Sequence, residues 1–111
     1  MTVYIIQEMR GRDVSDASAF GPLDILIPAL EQASLSVQPT IRRMLSKLSK
    51  FTDDDYLLLA GDPAAIAIAS ALAAQHNGGR FKLLKWDRLE SRYLPLKVDL
   101  NYRPGVTSER F

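Results

Sequence analysis

The chain has 111 residues, 47% of them hydrophobic, a net charge of +1 and no cysteine. That length suits one domain, burying roughly 65% of its unfolded surface without staples. The missing cysteines exclude disulfides, thiolate nucleophiles and sulfur-ligated zinc, and no stretch reaches the ~18 apolar residues of a membrane span. The start, "MTVYIIQEMRGRD", is too short in apolar length for a signal peptide. Charge is segregated: residues 1–35 carry −3, 36–50 carry +4, 51–79 carry −4 and 80–111 carry +4. A near-neutral total of this kind is not that of a general nucleic-acid binder, though it builds local fields.

"TVYIIQ", 2–7, is β-branched and aromatic and predicts a first strand. Residues 10–22 have loop composition. "LDILIP", 23–28, predicts a second strand stopped by Pro28, and 29–38 show no period. Pro39 opens a helix to about Lys50. Ile41, Met44, Leu45, Leu48 and Phe51 share one face by spacing, with Arg42, Arg43, Lys47 and Lys50 toward the other.

"DYLLLA", 55–60, is a continuous apolar run suited to a strand covered on both faces. Asp62 is an N-cap and Pro63 a first helical residue. The helix runs to His76, where "NGG" stops it. It has almost no polar face, and small residues form stripes at Ala64, Ala67, Ala71 and Ala74 and at Ala65, Ala69 and Ala73. Such a helix is expected to be covered on more than one side, either by a second subunit in a homodimer or by the chain's own loops.

A terminal hairpin is expected from "RFKLLKWDR", 80–88, and "RYLPLKVDL", 92–100, with Pro95 marking an edge strand. Leu94, Leu96, Val98 and Leu100 alternate and are expected to face the core. The tail 101–111 is expected to be flexible. The fold class is α/β: a single small domain over 1–100, a mixed sheet of about five strands and two main helices, in the order β-β-α-β-α-β-β.

Little here announces catalysis. His76, near a helix end, suits the dipole there and marks no triad. Asp53 and Asp54 read as a solvated loop. Asp55 and Asp62 would lie roughly 20 Å apart at opposite strand ends and cannot share an ion. No metal or cofactor is expected. The Gly61-Asp62-Pro63 corner has the outline of a phosphate loop without its glycines and lysine. Asp62 would place a carboxylate on the helix amides, and Pro63 removes an N–H.

Binding residues are expected on the hairpin. A turn centred between Leu89 and Glu90 sets Trp86 opposite Tyr93, Leu84 opposite Pro95 and Lys82 opposite Lys97. That face would show aromatic rings beside Lys82, Arg88 and Lys97, the composition that stacks single-stranded bases. Arg42, Arg43 and Lys47 would add phosphate contacts. The plainer reading is a stabilising cross-strand aromatic pair and lysines guarding an edge.

"FTDDDYLLLAGDPAAIAIASALAA" followed by "NGGRFKLLKWDRLESRYLPLKVDL" resembles a group of short, functionally uncharacterised proteins of tailed bacteriophages. The likeness covers roughly residues 37–100 and is weaker toward the N-terminus. It implies phage origin and the host cytoplasm, and no mechanism. The expected function is a non-enzymatic interaction protein, dimeric through 63–76, binding a host or phage protein or nucleic acid. The rival is a small nucleotide-binding or nucleotide-acting enzyme using the Gly61–Asp62 corner.

Overall fold

A computed structural model describes residues 1–31 and 37–101. Five strands, β1 (Val3–Gln7), β2 (Leu23–Ile27), β3 (Tyr56–Leu58), β4 (Arg80–Asp87) and β5 (Arg92–Asp99), form one sheet in the order β2-β1-β3-β4-β5. β1 to β4 are parallel and β5 returns antiparallel to β4. The helices are α1 (Gln38–Leu48) and α2 (Pro63–His76). The α/β class, the mixed sheet and the element order are as the sequence predicts.

The inner strands β1 and β3 are buried on both faces. In β1, Tyr4 and Ile6 join the core beneath α1 and α2, while Val3 and Ile5 join a second core on the opposite face. β3 repeats this with Leu57 and Leu58. Each such fully buried aliphatic side chain contributes about 1.5–3 kcal/mol. The first core is completed by Met44 and Leu48 of α1, Phe51, and Ala65, Ala69 and Ala73 of α2, whose small side chains let that helix lie close on the sheet.

The second core corrects the expectation of plain loop at 10–22. Residues Ser15–Phe20 form a 3-10 helix that buries Ala17 completely, with Val14 and Phe20 packed around it. Their spacing of three is the eclipsed spacing of that helix type. Asp13 holds the entry by accepting from the Ser15 N–H at 2.9 Å. This bond keeps its carboxyl below the ordinary aspartate range.

Two further expectations change. Leu45 is 43% exposed, because α1 rests on the sheet through Thr40, Met44 and Leu48 instead. On β5, of the alternating residues Leu94, Leu96, Val98 and Leu100, only Val98 packs against the helix-side core; Leu96 and Leu100 are exposed. The buried residue of β5 lies on the other side: Tyr93 sits among the second-core residues, while Pro95 and Lys97 beyond it are exposed. In α2, Ala65, Ala69 and Ala73 are buried, while Ala64, Ala67 and Ala71 face solvent within the single chain. The expected tail falls, apart from Asn101, outside the described residues.

Both sheet edges are guarded. Lys47 Nζ pairs with Asp24 and donates to the Ile25 carbonyl of edge strand β2 at 2.7 Å. Pro95 interrupts the donors of edge strand β5.

Candidate functional site

The hairpin forms with the expected register: Trp86 opposite Tyr93, Leu84 opposite Pro95, Lys82 opposite Lys97. The expected open aromatic face does not form. Leu84 and Tyr93 are buried, at 0% and 5% exposure, because the 3-10 helix segment covers that side. Trp86 is half-buried and meets Tyr93 edge-on, with centroids 4.9 Å apart. Lys82 lies over the Tyr56 ring, 4.7 Å from its centroid, so its charge is already engaged. Lys97 is exposed on the edge strand.

What the hairpin does present is its tip. β3 pairs with β4 only through Lys82–Leu84, so the residues beyond are held by the hairpin's own ladder. Asp87 accepts from the Glu90 N–H at 3.2 Å, Ser91 takes φ +50° and Arg92 pairs with Glu90. Arg88 is exposed and Leu89 is 95% exposed.

The basic face of α1 is half-neutralised by the chain itself. Arg43 pairs with Glu31 at 2.8 Å, and Lys47 with Asp24. Arg42 and Lys50 are exposed. The four bases therefore do not form one unpaired cationic row.

The most instructive geometry lies at the carboxyl ends of the parallel strands. The chain leaves β1 toward β2 over one face, then returns past β1 to β3 over the other. Ligand crevices in open α/β sheets form at such a reversal. Here a crevice of about 360 Å³ is lined by Gln7, Glu8, Met9, Arg10, Ala29, Leu30, Gly61 and Asp62.

Its floor is sealed by Gln7, which ends β1 and is 5% exposed. Gln7 Oε1 accepts from the Asp62 N–H at 2.7 Å, and Nε2 donates to the Glu31 carbonyl at 2.6 Å and, at longer range, to Pro28 and Ala29. Gly61 takes φ +106°, and a Cβ there would lie 2.3 Å from Gln7 Cβ. Only glycine admits this approach. Asp62 caps α2 as predicted, accepting from the Ala64 N–H at 3.2 Å. Of the first amides an anion would need, Asp62 N–H is bound to Gln7, Pro63 has none and Ala64 N–H is bound to Asp62.

The sequence reading found Gly61 and Asp62 and missed Gln7. The only signal was one amide side chain ending the apolar run "VYIIQ".

A model of the phage Pam3 gp32-like protein family matches residues 1–100. The chain belongs to this family. It is thus a member of a phage protein family, and the match extends over the N-terminal third, where the resemblance noted from the sequence is weak. No curated protein and no solved structure matches the chain.

Proposed function

We propose that this member of the Pam3 gp32-like family is a non-enzymatic interaction protein that acts in the infected host's cytoplasm by binding another protein through the carboxyl-end surface of its sheet. The hairpin tip carries the reading: Arg88 and the 95% exposed Leu89 stand beyond the last residue of β4 paired to β3. An exposed apolar side chain on a self-supporting turn, beside an arginine unpaired among the described residues, has the composition of an interface patch.

A protein partner fits better than nucleic acid. Tyr93 is buried, Trp86 is engaged edge-on, Lys82 covers Tyr56, and Arg43 and Lys47 are paired. The aromatic face of the hairpin is closed, and two of the four α1 bases are already paired. The corner for a nucleotide is likewise taken up by Gln7, Pro63 and the Asp62 cap. The uncharged exposed stripe Ala64, Ala67 and Ala71 supports a homodimer as the second part of this proposal.

The test is affinity capture from infected-cell lysate with the wild type and with Arg88→Ser/Leu89→Ser, which should fold alike. A specific protein captured by the first and lost by the second supports the reading. Equal capture removes the tip from it. Salt-sensitive binding of single-stranded DNA, lost on Lys82→Ser/Lys97→Ser, replaces it with the nucleic-acid reading. A melting-temperature rise with nucleotide and Mg²⁺ replaces it with the enzyme reading. Light scattering tests the dimer, which a monomer at high micromolar concentration overturns.

A further inference from the structure

The crevice and the hairpin tip open at the same end of the sheet. β4 runs parallel to β1 and β3, so the turn after Asp87 leaves from the end where Gln7 and Gly61 lie. At ~4.8 Å per strand, β1 and β4 are about 10 Å apart, close enough for one partner to cover both. What the crevice can accept follows from its lining. Anions are disfavoured, because the Asp62 and Ala64 amides are bound, Pro63 has none, and two carboxylates, Glu8 and Asp62, stand at the lining. Glu8 has no side-chain partner among the described residues, and Asp62 spends one oxygen on the helix cap.

The remaining walls are apolar: Met9, Ala29 and Leu30, the last 76% exposed. Arg10, also on the lining, leaves one base against two acids. An alkyl stem lies well against apolar walls while its charged head seeks carboxylates. Gln7 cannot serve a ligand, since both ends of its amide are already bonded.

We propose that this crevice is a pocket for a lysine or arginine side chain displayed by the partner protein, with the stem against Met9 and Leu30 and the cationic head at Glu8 and Asp62. The proposal rests on the protein-binding reading above, and its test uses a probe that does not require the partner. Blocked lysine and arginine amides (N-acetylated, so that only the side chain differs) are titrated into ¹⁵N-labelled full-length protein, beside blocked norleucine, inorganic phosphate and adenosine monophosphate. The expected result is saturable shifts in the millimolar range, confined to residues 7–10, 29–30 and 61–62, for the cationic probes only.

Glu8→Gln should weaken binding about five-fold, the scale of one solvent-accessible ion pair. Asp62→Asn should do the same while keeping the helix capped, since asparagine caps as well as aspartate. Leu30→Ser, at an exposed position, should weaken the stem contact without disturbing the fold. Shifts with phosphate or the nucleotide and none with the cations overturn the proposal, as does cation binding indifferent to Glu8→Gln. Should the cationic probes fail while Arg88→Ser/Leu89→Ser still abolishes capture, the pocket is wrong and the hairpin reading stands.

Discussion

The two ends of the sheet treat polar groups in opposite ways. At the amino ends of the strands, charge is stitched into the fold. Asp55, 4% exposed, accepts from the Thr2 and Thr52 N–H groups at 2.8 Å each, tying the start of β1 to the turn before β3. Asp53 accepts from Asn77 and pairs with Arg80, joining that turn to the end of α2 and the start of β4. Asn101 donates to the Gly78 carbonyl, bringing the end of β5 to the same cluster. Tyr4 lies within its influence: burial first, then the charges of Asp55 and Asp24, push its hydroxyl above the ordinary tyrosine range. At the carboxyl ends, Glu8, Arg10 and Arg88 have no side-chain partner among the described residues, and the surface is concave beside a projecting turn. Folding requirements account for the first end. They do not account for the second, except for the seal formed by Gln7, which is where the comparison is most easily broken.

The largest effect is expected at that seal. Gly61→Ala forces a side chain into a positive-φ position and within 2.3 Å of Gln7 Cβ. It should cost about 3 kcal/mol or more, lowering Tm by ~10–20 °C. Wild-type stability in Gly61→Ala would mean that β1 and the α2 entrance are not in contact. Gln7→Ala is next. It strands the Asp62 N–H and the Glu31 carbonyl in a part-buried site, for a loss of about 1–3 kcal/mol by denaturant unfolding. Because alanine keeps the Cβ, much of the Gly61→Ala penalty should persist in the double variant, and that residual separates the steric clash from the lost hydrogen bonds.

How much of this was legible in the sequence differs between the ends for a physical reason. Local chemistry announces itself: the Asp62 cap, the Pro63 helix start and the hairpin register each depend on residues adjacent in the chain or linked by a short turn. Burial on a particular face does not. The alternation of Leu94, Leu96, Val98 and Leu100 resembles that of a core-facing strand, yet the buried residue of β5, Tyr93, is on the opposite side. The cover comes from Ala17 and its neighbours, some seventy residues away, in a segment whose composition is that of a loop. The same long-range dependence hid the crevice. Gln7 and Gly61 are distant in sequence, and neither carries meaning until β1 and β3 are neighbours. Arg43 and Lys47 likewise read as free bases until β2 and the Pro28–Glu31 turn bring Asp24 and Glu31 beneath them.

Smaller effects sharpen the contrast. Arg88→Ser, Leu89→Ser and Glu8→Gln, at the open end, should each leave unfolding free energy within about 0.5 kcal/mol of wild type, as exposed substitutions do. Equilibrium denaturation beside the binding measurements above checks this. A large stability loss at any of them would show that the open end, too, is built for folding.

The smallest effect belongs to Asp53, and it carries a sign. Hydrogen bonds from Asn77 and then Arg80 hold its carboxyl below the ordinary aspartate range. A carboxyl whose folded pKa is depressed stabilises the fold above its unfolded pKa and loses that contribution as pH falls through the folded one. The difference in stability between wild type and Asp53→Asn should therefore be flat through neutral pH. It should shrink as pH drops below the ordinary aspartate range and toward the lowered folded pKa. Asparagine keeps one oxygen acceptor for Asn77 and Arg80 Nε but turns a donor toward Arg80 Nη2, so this pair removes the charge together with one hydrogen bond. The Asp53 side chain is 45% exposed, which keeps the effect small and makes it weaken with added salt. Carbon-detected titration of the Asp53 carboxyl measures the shift directly. An ordinary aspartate midpoint would detach Asp53 from Asn77 and Arg80, and with it the claim that this end of the sheet is stitched by charge while the other is left open for a partner.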